Sequence, residues 1–402
     1  MDMTRRSMIG AAAGLTALGA GSASALALPP AKENGRRHGL YEEQVLAAPG
    51  DHGVQNFRIP ALAVAPSGDL LAAYDKRPVG GDSPSPNSLW QRRSRDNGRT
   101  WEEPTVIRAG VESTEPGEKL GYSDPSYVVD RETGTIFCFS VFSKDVGMWD
   151  SEYGNDDEDR NIASATVATS HDDGKSWEYR SLTTIVKPQD CRATFASSGA
   201  GIQVRTGPYA GRLVQQYAGW FRQADGSEDV KAYSLYSDDH GETWTMGTPV
   251  GTEMDENKVV ELSDGTLMMN SRENVRTGRR WVALSHDGGG TWEGLHRDES
   301  LVDPGNNAQI TRAYPDAAPG SRKSRILLFS HADHEPDDRV NGTIEISTDD
   351  GATWERKRVF QPGACQYSVI IPIRRGLFGL VYEAEDEAIT FARLDMNWIL
   401  SR

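Results

Sequence analysis

One eight-residue pattern recurs five times along this 402-residue chain, and repetition on that scale requires an architecture of repeated units. The copies are SRDNGRTW from Ser94, SHDDGKSW from Ser170, SDDHGETW from Ser237, SHDGGGTW from Ser285 and STDDGATW from Ser347. All fit Ser-x-Asp-x-Gly-x-Thr/Ser-Trp. The aspartate can accept hydrogen bonds from turn N–H groups, the glycine can take a positive φ, and the tryptophan offers a large apolar face. The pattern therefore predicts a hairpin turn whose Trp packs between neighbouring sheets.

The repeat is identified as the Asp box. Between the boxes lies a second recurring unit of strand, turn and strand, at 61–74, 126–141, 201–218, 258–272, 309–331 and 368–383. The first five precede a box hairpin, giving four strands each, whereas the sixth is followed only by AITFARLD from Ala388. Four-stranded units repeated six times predict an all-β, six-bladed β-propeller with five Asp boxes. The strand missing from the last blade is supplied by 41–47, which closes the ring. No Pro, Gly or Ser linker divides the units, which argues against a string of separate β-sandwiches.

Composition narrows the partners. A formal net charge of -16 argues against a nucleic-acid surface or an anionic membrane, since counterion-driven binding needs clustered Lys and Arg. Arg5-Arg6 followed by a small apolar run and overlapping Ala-x-Ala sites, Ala23 to Ala25 and Ala25 to Ala27, predicts a twin-arginine export signal over 1–27. The expectation is a secreted chain whose propeller spans 28–402, without a membrane segment in its mature form and monomeric. Cys138, Cys191 and Cys365 are widely spaced and odd in number, which predicts buried thiols rather than a disulfide framework or zinc site.

Antiparallel pairing sorts the remaining polar residues onto two faces. The entry to the first strand of a blade and the exit from its second lie at one edge. The boxes, which join third and fourth strands, fall on the opposite face. On the edge away from the boxes the sequence puts Arg58 before the first hairpin, Asp82 in the loop after it and Asp124 before the second. Glu256 precedes the fourth hairpin and Arg272 ends it. Arg339 precedes the third strand of blade five, Tyr367 the sixth hairpin, and Glu383 ends that hairpin. Three arginines from three blades at one mouth predict a carboxylate clamp, with Glu383 placed to orient one of them.

The FRIP stretch at Phe57 to Pro60, followed by the boxes, resembles the bacterial exo-sialidases, and the resemblance extends over nearly the whole mature chain. It implies that Arg58, Arg272 and Arg339 bind the substrate carboxylate, that Asp82 is the acid/base and that Tyr367 is a nucleophile partnered by Glu256. It further implies that Glu383 supports the first arginine and that Asp124 contacts the sugar's substituents. The implied reaction is retaining hydrolysis of terminal sialic acids on glycans, glycoproteins or gangliosides, with no cofactor and no metal. The chemistry is coherent: sialic acid carries a carboxylate on its anomeric carbon, so a carboxylate nucleophile would approach against like charge, whereas a tyrosine is neutral until activated.

Transfer of sialic acid to another sugar, or hydrolysis of a related nonulosonic acid, uses the same set. A sialoside-binding propeller without hydrolytic chemistry needs the boxes but not the rim residues. Glu261 rivals Glu256 but falls within its strand. The acidic run at 150–161 matches no 12-residue calcium loop and reads as a solvated loop over the site. Trp220 and Phe221 fit either packing or a sugar-facing pocket. DGKS at Asp173 lacks the glycine that a phosphate loop requires at position 169 and belongs to a box.

Overall fold

A computed structural model of the chain describes residues 39–401, apart from 116 and 385–387; the export signal expected over 1–27 lies outside the described residues. Six antiparallel sheets succeed one another along the sequence. Blade one is Asn56–Val64, Leu70–Arg77, Ser88–Ser94 and Thr105–Arg108, laid side by side in chain order. Blade two runs from Gly121–Val129 to Glu178–Ser181, blade four from Met254–Glu261 to Glu293–Val302, and blade five from Gln309–Arg312 to Arg356–Ala364. First strands pack on first strands of the neighbouring blades, so they form the inner ring. Among the described residues no helix is long and apolar enough to cross a membrane, and the three cysteines are buried and unpaired.

The ring closes as the sequence predicts. Tyr41–Ala47 pairs antiparallel with Ile389–Asp395, completing a blade begun by Ser368–Arg374 and Leu377–Glu383. The first and last strands among the described residues thus share one sheet, and Ile389–Asp395 is paired on both sides.

Blade three departs from the expected hairpin at 201–218. Its inner strand starts earlier, at Cys191–Ala196, which pairs with Leu213–Arg222; after a break it resumes as Ile202–Gln203 on the same partner. In the break, Gly199–Ala200 crosses to pair parallel with the inner strand of blade two. The cause is the run SSGAG at 197–201. Gly199 takes φ 122°, and a Cβ on Gly201 would stand 2.4 Å from the Val214 carbonyl oxygen, so only small residues allow the detour.

The box turns share one hydrogen-bond pattern. In the first, Asp96 Oδ1 accepts from Thr100 N at 2.8 Å, its Oδ2 accepts from Thr100 Oγ1 at 2.7 Å, and Gly98 N donates to Ser94 Oγ at 2.8 Å. Asp172, Asp239, Asp287 and Asp349 repeat it. The box glycine also lets the turn lie against the preceding blade, because a Cβ on Gly241 would meet Phe137 at 2.2 Å. The tryptophans do the same work: Trp101 meets Phe391 of blade six edge-on at 4.9 Å, and Trp244 meets Phe137 and Phe139 of blade two. Boxes touch first-hairpin turns next door, Ser67 N donating to Asp173 Oδ1 at 3.1 Å and Ser263 N to Asp350 Oδ1 at 3.0 Å. All these turns lie on one face, and the strand ends carrying the arginines lie on the other.

Candidate active site

The inner strands of blades one, two and four reach the far face through bulges rather than ending below it. Their registers slip between Arg58 and Ala61, Ser123 and Ser126, and Met254 and Asn257. Ile59 and Asp124 take left-handed φ values of 59° and 62°, which re-aim the neighbouring side chains toward the axis. Arg58, Asp124 and Glu256 therefore sit inside strands, not ahead of them as the sequence suggested.

Six of the expected residues form one connected cluster. Tyr367 Oη donates to Glu256 Oε2 at 2.9 Å, and Arg272 Nη1 reaches the same oxygen at 2.6 Å while lying 3.3 Å from the phenol. The guanidiniums of Arg58 and Arg339 stand 5.4 and 5.5 Å from the Tyr367 ring centre. Glu383, buried, accepts from Arg58 Nη2 at 3.0 Å, from Ile59 N at 2.6 Å and from Tyr367 N at 3.3 Å, fixing arginine and tyrosine together. Arg339 is held by Gly305 O at 2.7 Å and by Gln366 Oε1 at 3.3 Å. Burial, and next Glu256, push the Tyr367 phenol well above its ordinary pKa, against the pull of Arg272, Arg339 and Arg58.

Asp82 and Asp124 belong to an adjoining acidic group organised by residues that sequence reading passed over. Arg77 donates to the buried Asp75 through Nε and Nη2 at 3.2 and 3.0 Å, and through Nη1 to Asp82 at 2.6 Å. Asp75 in turn accepts from Asp124 N at 3.2 Å. Burial works to raise the Asp82 carboxyl, but Arg77, Arg58 and Arg339 hold it below its ordinary value. Burial, then Asp75, raise Asp124 well above the carboxylate range, and burial raises Asp75 to about 6 despite Arg77. Asp82 keeps 60% of its side chain exposed, which makes it the most open carboxylate of this group to an incoming molecule. The missed pair had a signal: Asp75 and Arg77 are two apart on a strand, share a face, and Asp75 sits in register with Arg58.

The remaining residues singled out in the sequence divide plainly. Glu261 lies at the box end of its strand, accepting from Arg205 N at 3.0 Å and Thr206 N at 2.8 Å, far along the strand from Tyr367. Phe221 is core between blades two and three. Trp220 is buried against Phe195 and meets the edge of Trp149, which is 62% exposed. The acidic run at 150–161 turns backbone carbonyls toward lysines, with Asp157 O accepting from Lys144 Nζ at 3.0 Å and Glu152 O from Lys187 Nζ at 2.7 Å.

The arrangement can bind a carboxylate on three guanidiniums, place a phenol and its base under the reacting carbon, and set an exposed carboxyl group beside it. Comparison with known proteins places the chain among relatives. Residues 68–380 match the BNR repeat-like domain family. The chain is 49% identical over 390 residues to a sialidase of Micromonospora viridifaciens, covering 97% of this chain and 59% of that protein's length. The structure of a Hadza microbial sialidase, Hz136, superposes with a TM-score of 0.78 at 29% identity, over 89% of this chain and 69% of that one. An intramolecular trans-sialidase of Ruminococcus gnavus shares the fold, with a TM-score of 0.72 at 20% identity over 87% and 96% of the two chains. The chain belongs to the BNR repeat-like domain family, and it is similar to bacterial sialidases over a little more than half of the Micromonospora protein's length.

Proposed function

We propose that this chain is an exo-α-sialidase that releases terminal sialic acid from glycoconjugates with retention of configuration, and that it is exported to meet them. The observation that carries the reading is the Tyr367 phenol, 2.9 Å from the Glu256 carboxylate and ringed by three arginines. In a simple ion-pair network a neutral phenol has no role. Against a substrate whose anomeric carbon bears a carboxylate it does, because the arginines take the carboxylate while an uncharged nucleophile approaches the carbon.

The geometry supports the following steps. Tyr367 Oη bonds to the anomeric carbon as the glycosidic C–O bond breaks, Glu256 takes the phenolic proton, and Asp82 gives a proton to the leaving oxygen. Asp82, now a carboxylate, takes a proton from water; water attacks the same carbon, and the tyrosine leaves with the proton returned from Glu256. Two inversions give net retention. Asp82 is held low in the free protein by cations. A bound substrate carboxylate neutralises the field of Arg58 and Arg339 and so shifts Asp82 upward, toward the protonated form it needs as an acid, while the Arg77 contact continues to oppose the shift. The clamp also fixes the substrate carboxylate, whose negative charge lies next to the carbon on which positive charge develops in an oxocarbenium-like transition state.

The test is release of fluorophore from an aryl α-sialoside, with proton NMR of the first sialic acid formed. The expected results are the α-anomer as first product and loss of most turnover in Tyr367→Phe. A β-anomer first, or a Tyr367→Phe variant as active as the parent, would refute the mechanism. Adding lactose distinguishes hydrolysis from transfer, since sialyllactose appears only if a sugar hydroxyl competes with water.

A further inference from the structure

A cavity of about 950 Å³ opens on the box face of the propeller, at the end of the axis away from Tyr367. Its walls are the inner strands of all six blades, and they are largely apolar: Leu62, Val129, Ile202, Val260, Ile310 and Ile371 all line it. Gln309 and Ala200, which bond to one another at 3.3 Å in both directions, line it as well, whereas none of Arg58, Asp82, Glu256, Arg272, Arg339 and Tyr367 does.

The mouth of this cavity is cationic on a chain of net charge -16. Arg131, Arg205, Arg312, Arg322, Lys323, Arg374 and Arg375 line it, against only Glu261 and Asp316. Arg205 pairs with Asp316, while Glu261 is already committed to two peptide N–H groups and stands 3.7 Å from Arg312. Among the described residues Arg131, Arg322, Arg374 and Arg375 have no carboxylate partner. Arg312 is 5% exposed, and its Nε is buried with no acceptor. Burial, and next the proximity of Arg205, lower Arg131 to about 10. Cations thus outnumber carboxylates seven to two around an apolar-walled hole of ligand size.

We propose that this cavity is a second binding site, for a single-chain amphiphile with an anionic head group. The alkyl chain lies between the inner strands and the head rests on the arginine rim. Guanidinium forks pair bidentately with carboxylate or phosphate, and the apolar wall rewards each methylene, so the two halves of the cavity ask for one molecule with both chemistries.

Titration calorimetry on the full chain with decanoate, decyl phosphate, decanol, hexanoate and inorganic phosphate, below micellar concentrations, tests this. One equivalent of decanoate or decyl phosphate is expected to bind, the tighter of the two identifying the head group. Hexanoate is expected to be weaker by roughly two- to four-fold for each methylene removed. Decanol and inorganic phosphate are each expected to be at least about ten-fold weaker than the better anion. Arg374, the last residue of its strand, and Arg375, in the turn that follows, are both exposed, so the double variant Arg374→Ser/Arg375→Ser should fold, weaken binding about five- to ten-fold and leave hydrolysis of an aryl sialoside unchanged. No saturable binding of either anion overturns the proposal, as does decanol or inorganic phosphate binding as tightly as the anions. An unaltered affinity in the arginine variant overturns it too, and none of these results depends on whether the chain is a sialidase.

Discussion

Lys258 offers the sharpest test of how charge is buried in this molecule. It lies two residues past Glu256 on the same inner strand, is 1% exposed, and bonds through Nζ to Asn307 Oδ1 at 2.8 Å. Burial, opposed by Glu256 and Asp124, lowers its pKa to about 7 from 10.5. Because the folded pKa is depressed, the unfolded chain binds more protons than the folded chain between about pH 7 and pH 10.5. Stability attributable to this residue therefore rises with pH across that window and is least below pH 7. The gap corresponds to a ceiling of about 5 kcal/mol, and the slope in mid-window to ~1.4 kcal/mol per pH unit. Lys258→Met keeps the unbranched shape and removes the titration, while Asn307 Oδ1 retains Ala308 N as a donor at 3.0 Å. Urea unfolding of both proteins at pH 7.5, 8.5 and 9.5 reads the term, because titrating groups that do not interact with Lys258 cancel in the difference. The parent is expected to gain on the variant by roughly 2–3 kcal/mol over that range. A difference that stays flat with pH, or moves the other way, would show that the ammonium is not desolvated and refute the reasoning.

Three further expectations come from the same interactions. Glu383→Gln removes the charge that holds Arg58 while keeping one acceptor for Ile59 N, and kcat/KM on an aryl sialoside is expected to fall about ten- to a hundred-fold, read by initial rates. Gly241→Ala places a methyl 2.2 Å from Phe137 at φ 86°, so thermal or urea unfolding should show a loss of about 2–4 kcal/mol. Deleting residues 1–47 strips the strand paired to Ile389–Asp395 and uncovers Phe391 and Leu394; size-exclusion chromatography is expected to show aggregation, and a monodisperse, fully active product would contradict the closure.

Much of the fold was legible because its decisive chemistry is local. An Asp box is a set of contacts within eight residues, so its hydrogen bonds can be read from spacing alone, and the absence of a sixth box pointed to 41–47 as the closing strand. The same reading put Arg58, Asp82, Asp124, Glu256, Arg272, Arg339, Tyr367 and Glu383 on one edge by counting strand ends. What spacing could not supply was the detour at 197–201, where Gly199–Ala200 leaves one blade to pair with another, because its partners lie about 70 residues away in the chain.

The sequence by itself determined the repeat, the turn chemistry and which face carries the arginines, since those depend on neighbours within a hairpin. Only the tertiary structure decided the charges and their partners. That Glu383 spans Arg58 and Tyr367, that Arg77 ties Asp82 to a buried Asp75, and that unpaired arginines ring the opposite mouth are facts of residues brought together by ring closure. Their energies depend on burial and on distances of a few ångströms, and neither quantity exists until six blades have packed around an axis.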